Sequence, residues 1–175
     1  MAGEFVGNEK RNIVMLPINV FKTVIEATPL ISIDLIVRND QQKILLGKRT
    51  NRPAQGFWFV PGGRVLKDES LEAAFKRILT AELGITFNSK NLVSKFQGVY
   101  QHFYDDNAID YNFTTHYVVL AYELQTDCSL SLLPKDQHDS YKWLSEIELL
   151  KDNSVHKHTK WYFKKGQSAD ASFMK

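Results

Sequence analysis

GGRVLKDESLEAAFKRILTAELGI, residues 62–85, is the stretch on which the reading of this chain turns. Ser70 to Leu83 predicts a helix, because Leu71, Phe75 and Ile78 recur on one face at the helical period of about 100° per residue. Gly84 closes it, as glycine commonly does just past a helix end. Glu82 breaks the pattern: it lies in the middle of that apolar stripe and in the last turn, where a negative charge faces the negative end of the helix dipole. A carboxylate buried there needs a cation or strong hydrogen bonds to stay ionised. A last turn frayed to solvent, an arginine partner and a metal ion would each answer the problem, and the helix alone leaves all three open.

The residues just before the helix favour the metal. Gly62-Gly63 stands between a short strand, FWFV, and the helix, and paired glycines let backbone carbonyls approach a ligand closely. Magnesium commonly takes one or two protein oxygens and completes its shell with water and phosphate. Glu82 with the Gly62 carbonyl fits that habit. Arg49, Arg52 and Arg64 fall around the same loop and point to a diphosphate.

Outward from this centre, strands and helices mix without regular βαβ alternation, which predicts an α+β fold. Pro17 to Thr28 reads as a helix with Phe21, Val24 and Ile25 on one face, stopped by Pro29. LISIDLIVR, residues 30–38, alternates as a strand and sets Asp34 opposite Ile33 and Leu35. A second strand follows at Lys43 to Arg49, TNRPAQG is a loop, and Pro61-Gly62-Gly63 is a break. Further strands are expected near Phe96–Phe103, Phe113–Leu124 and Tyr141–Leu144. Ser145 and Glu148 spell a capping box, and Val155 to Phe163 predicts a last helix. His138 lies in a polar turn segment able to present it to substrate, while His156 and His158 read as solvated surface histidines.

Composition removes several classes. With 175 residues, 43% of them apolar, the chain suits one domain and is not disordered. A net charge of +2 lacks the basic excess of a nucleic-acid binder. No apolar run approaches the roughly 20 residues of a membrane span, and no signal peptide is visible, so a cytoplasmic protein is expected. The single Cys128 has no internal disulfide partner, and no Cys/His spacing reads as a zinc site. Phosphate-loop, dinucleotide, nucleophile-elbow and His-Glu-x-x-His signatures are all missing.

Gly63, Glu69, Arg77, Glu82, Gly84 and Ile85 keep the spacing of the Nudix box, with Ile78 and Ala81 standing where the box carries two glutamates. LLGKRTNRPAQGFWFVPGGRV (45–65), QHFYDD (101–106), FTTHYVVL (113–120) and the Asp136–Asp139 turn follow in order. In these segments, and in the missing glutamates, the chain resembles the GDP-mannose mannosyl hydrolases of the Nudix superfamily. The resemblance runs from about Leu16 to Phe163. It implies a Nudix-like mixed β-sheet sandwiched between α-helices in a single domain, 15–175, with residues 1–14 an extension outside the fold. It also implies a homodimer.

The activity it implies is hydrolysis of GDP-mannose or GDP-glucose at the sugar carbon C1, with inversion and release of GDP. By matching positions, Glu82 and the Gly62 carbonyl hold Mg²⁺, His138 is the general base, and Arg49, Arg64 and Tyr117 assist the departing GDP. Asp34, His102 and Gln137 fall to substrate binding. Two other readings remain: a Nudix pyrophosphatase cleaving P–O, against which Ile78 and Ala81 count, and a nucleotide-sugar-binding module without catalysis, against which the joint presence of Glu82, Arg49, Arg64 and His138 counts.

Overall fold

The computed structural model describes residues 16–85, 93–109, 112–126 and 128–166; the expected extension 1–14 lies outside them. The elements are α1 (Ile18–Ala27), β1 (Leu30–Arg38), β2 (Ile44–Arg49), β3 (Trp58–Phe59), β4 (Gly62–Arg64), α2 (Leu71–Leu83), β5 (Ser94–Tyr104), β6 (Thr115–Gln125), β7 (His138–Leu144), α3 (Glu146–Lys151) and α4 (Lys157–Trp161). The α+β expectation holds.

One mixed sheet runs in the order β3-β2-β1-β6-β5, with β4 also on β1 and β7 also on β2. β1 pairs in parallel with β6 along its whole length, from Leu30 opposite Tyr117 to Arg38 opposite Gln125. Its other edge is divided. β4 takes Ser32 to Asp34, whereas β2 meets β1 only where Arg38 faces Ile44. The sheet therefore forks beside Asp34, and the fork opens a concave face.

Both sides of β1 are buried, because helices cover both faces of the sheet. Ile33, Leu35 and Val37 pack with Phe75, Ile78, Leu79 and Leu83 of α2. On the other face Ile36 packs with Tyr100 and Val119 under Trp161 and Tyr162. Between β2 and α3, Ile44, Leu46 and Leu149 close the sandwich.

The local signals explain most element ends. Ser70 caps α2, its side chain accepting from the Ala73 N–H, and Gly84 ends it at φ 68°, in the left-handed region. The capping box of Ser145 and Glu148 starts α3 as expected. Three expectations are corrected. Leu71 is 48% exposed; the buried stripe of α2 runs through Ala74, Phe75, Ile78, Leu79, Glu82 and Leu83, one position round from the reading of the sequence. Gly62-Gly63 is not a break but part of β4, since glycine lets that strand lie hard against Asp34. His158 is fully buried, and His156 is half-buried against Phe57, Phe59 and Tyr104, because α4 packs its histidines onto the aromatic face of β5.

Candidate active site

The fork in the sheet, α2 and the β5–β6 pair enclose a cleft of about 680 Å³. Eight of the nine residues singled out in the sequence line it: Asp34, Arg49, Gly62, Arg64, Glu82, His102, Tyr117 and Gln137. They come from β1, β2, β4, α2, β5, β6 and the approach to β7, so the fold gathers residues up to 103 positions apart.

The loop between β4 and α2 is held by an ion pair. Arg77 Nε donates to Glu69 Oε1 at 2.7 Å, and Arg77 Nη2 donates both to Glu69 Oε2 and to the Arg64 carbonyl. Glu69 Oε2 also accepts from the Leu66 N–H, and the Arg77 contact holds the carboxyl below its ordinary pKa. Glu69 and Arg77 thus shape the loop.

Glu82 is 3% exposed, with its carboxylate at the cleft. Of the three solutions left open for it, fraying is excluded by burial. Its near contact is His138 Nδ1, 3.5 Å away, which makes an ion pair only when the imidazole is protonated. Burial pushes its pKa up to about 7, opposed by Arg49 and reinforced by Asp34 and Asp136. Asp34, across the cleft, is raised to about 6, again chiefly by burial, with the Tyr162 hydrogen bond and Arg49 pulling down. Two acids facing one cleft and both resisting ionisation make a place where a divalent cation is favourable.

The donors present fit such an ion. Asp34 faces Gly62 in the β1–β4 ladder, whereas the Leu35 N–H donates to the Pro61 carbonyl and the Val65 N–H to the Ile31 carbonyl. Antiparallel alternation turns the Gly62 carbonyl out of that ladder. A carboxylate and a carbonyl are hard oxygen ligands of the kind Mg²⁺ takes. Among the described residues no three His, Cys, Asp or Glu side chains gather as a metal set.

Cations flank this point. Arg49 donates to the Pro53 carbonyl at 2.9 Å and lies over Phe59; Arg64 stacks on Phe21 of α1 at 4.0 Å. Tyr117 is held as a neutral phenol, its pKa raised by burial against the pull of Arg64 and Arg49.

His138 departs from expectation. It opens β7 instead of riding a loop, is 1% exposed, and lies beneath Glu82 and not on the cleft wall. Its ring packs on Gly47, where a Cβ would come within 2.4 Å of it. Nδ1 lies 3.3 Å from the Tyr141 hydroxyl, and Nε2 is buried without a partner. Burial, then Arg49, lowers its pKa to about 4.

The sequence reading missed Tyr162, which donates to Asp34 Oδ2 at 2.5 Å across 128 residues. No local pattern announces such a contact.

The NUDIX domain family profile matches residues 28–164. The chain belongs to the Nudix hydrolase family. Hydrolases of this family typically use divalent ions such as Mg²⁺, in keeping with the oxygen donors at Glu82 and Gly62. The low-salt glycan biosynthesis protein Agl8 of Haloferax volcanii is 36% identical over 112 residues, which are 64% of this Nudix chain and 69% of that relative. Among solved structures, the MutT Nudix hydrolase from Burkholderia pseudomallei matches with TM-score 0.59 and 25% identity over 77% of this chain and 95% of that one. The MutT protein from Methanosarcina mazei Go1 shares the fold at TM-score 0.60 and 23% identity, over 78% and 92%. Among the described residues, no helix of this Nudix protein is long and apolar enough to cross a membrane.

Proposed function

We propose that this Nudix protein is a Mg²⁺-dependent GDP-sugar glycosyl hydrolase, acting on GDP-mannose or GDP-glucose, that delivers water to C1 with inversion and releases GDP. Homodimeric assembly and a cytoplasmic setting belong to the same reading. One observation carries it: on the face of α2 turned to the cleft, Glu82 is the lone carboxylate, with Ile78 and Ala81 lining the same wall where the box has acids. Fewer carboxylates leave less metal charge to activate water at phosphorus. A single ion held by Glu82 and the Gly62 carbonyl would still supply positive charge to the diphosphate as GDP departs. The relative named for low-salt glycan biosynthesis supports a sugar-bearing substrate.

Arg49 and Arg64 face the cleft and stabilise the oxygens of the leaving diphosphate. Tyr117, kept as a phenol, can donate to the same group. Because GDP so bound leaves readily, no separate acid is needed, and inversion calls for a base on the opposite face of the sugar. His138 is our candidate. It is neutral at pH 7, as a base must be, but has to swing out from beneath Glu82 to reach water, and Lys135 to Gln137 beside it are exposed. The water proton would pass to this imidazole while the electrons of the C1–O bond leave with GDP.

Reaction in ¹⁸O-water tests the reading. Label should appear on the free sugar and none on GDP, and an α-linked substrate should give the β anomer first. His138→Gln should lower kcat by roughly 10² to 10⁴. Label on phosphate, with GMP and a sugar 1-phosphate as products, would show a pyrophosphatase instead; an unchanged kcat would pass the base role to another residue.

A further inference from the structure

The last helix backs the cleft wall from behind. α4 is anchored by stacking of His158 on His102 at 4.3 Å between ring centres, and by the Val60 N–H donating to Thr159 Oγ1. Tyr162 follows at its end, edge-on to Tyr100 at 4.7 Å, and donates to Asp34 Oδ2. His102 Nε2 lies 3.3 Å from the same hydroxyl. The other oxygen of Asp34 abuts Gly62, where an added Cβ would sit 2.6 Å from Oδ1. Asp34 and Gly62 line the cleft; Tyr162 stands behind them.

We propose that Tyr162 is a positioning residue for the sugar: by holding Oδ2 of Asp34 it fixes the carboxyl so that Oδ1 is presented to a hydroxyl of the bound hexose. A carboxyl can rotate about its last torsion, and a donor on one oxygen removes that freedom. A charged acceptor oriented in advance binds a hydroxyl more strongly than one that must be ordered at each encounter. This rests on the GDP-sugar reading and goes beyond it, since it assigns the element that reads the sugar, apart from those that read the diphosphate.

The test compares two ligands on the full chain with Mg²⁺: the KM of GDP-mannose and the inhibition constant of GDP. Tyr162→Phe keeps the ring and its packing and removes only the hydroxyl. It should weaken GDP-mannose by roughly tenfold, a typical worth for one hydrogen bond to a charged group, and leave GDP, which has no sugar, unchanged. Asp34→Asn should show the same selective loss, and adding Tyr162→Phe to it should cost nothing further. Equal weakening of both ligands would mean a merely structural tyrosine; full additivity, or GDP-mannose affinity kept in Tyr162→Phe, would likewise overturn the proposal. Should the parent bind GDP-mannose no better than ADP-ribose, the GDP-sugar reading itself falls and this proposal with it.

Discussion

Glu82 is buried near the end of α2 beside the cleft. An acid with a pKa near 7 in an unliganded cleft competes for a proton with any metal it holds. Mg²⁺ affinity should therefore rise with pH through about 7, because the ion and the proton exclude each other at one carboxylate. Glu82→Gln preserves the shape and removes the charge, so activity should fall by at least about a hundredfold, with the pH dependence of metal binding abolished. Turnover and Mg²⁺ titration like the parent's would count against the assignment. The sequence made this residue legible because a charge inside an apolar stripe contradicts its surroundings. His138 was legible as a chemical type but not in its setting: nothing local says that Gly47, 91 positions earlier, leaves room for its ring.

Among the elements, α4 is where sequence reading fell shortest. Two histidines two apart point in different directions on a helix and read as surface. In the fold, His158 stacks on His102, neither of its ring nitrogens has a partner, and His156 fills the space against Tyr104. Burial first, then repulsion from His102 and His156, lowers His158 to about 2; burial, then repulsion from His156, lowers His102 to about 3; His156 is held at about 4 by burial and Lys157. Each is below the unfolded value of about 6.5, so the unfolded chain binds more protons, and stability falls as pH drops below about 6.5. The loss is about 1.4 kcal/mol per pH unit for each histidine. Asp34 and Glu82, raised above their unfolded values, act in the opposite sense between about 7 and 4, but they are two against four once His138 is counted. Unfolding followed by tryptophan fluorescence at pH 7 and pH 5 should show a net loss at the lower pH, and His158→Met should lessen it by about one proton. A stability independent of pH over that interval would contradict the buried neutral cluster. The capping box of α3 and the glycine end of α2, by contrast, were readable because a handful of adjacent residues decides them.

For the whole molecule, the proposed metal site at Glu82 and Gly62 predicts a particular coupling between ligands. With one carboxylate and one carbonyl as protein donors, Mg²⁺ alone should bind weakly, and GDP alone should lack its counter-ion. Together they should raise the melting temperature by more than the sum of their separate effects, and a chelator should return it to the value with GDP alone. Strictly additive shifts would argue against an ion shared between Glu82 and diphosphate. The α+β class followed from the sequence because strands and helices mix without regular βαβ alternation, whereas the mixed sheet between helices came from the resemblance to Nudix proteins. The fork at Asp34 followed from neither, since it depends on how two distant strands divide one edge. The two departures from the Nudix box also differ in how much room each leaves for an acid. Ala81 is exposed on the cleft wall, so a glutamate has room there. Ile78 is 1% exposed within the α2 core, and its Cγ1 would stand 3.1 Å from a Cβ at Gly63, so an acid there must displace packing that the rest of the fold depends on. A fuller acidic box is thus within easy reach at one position and opposed by the core at the other.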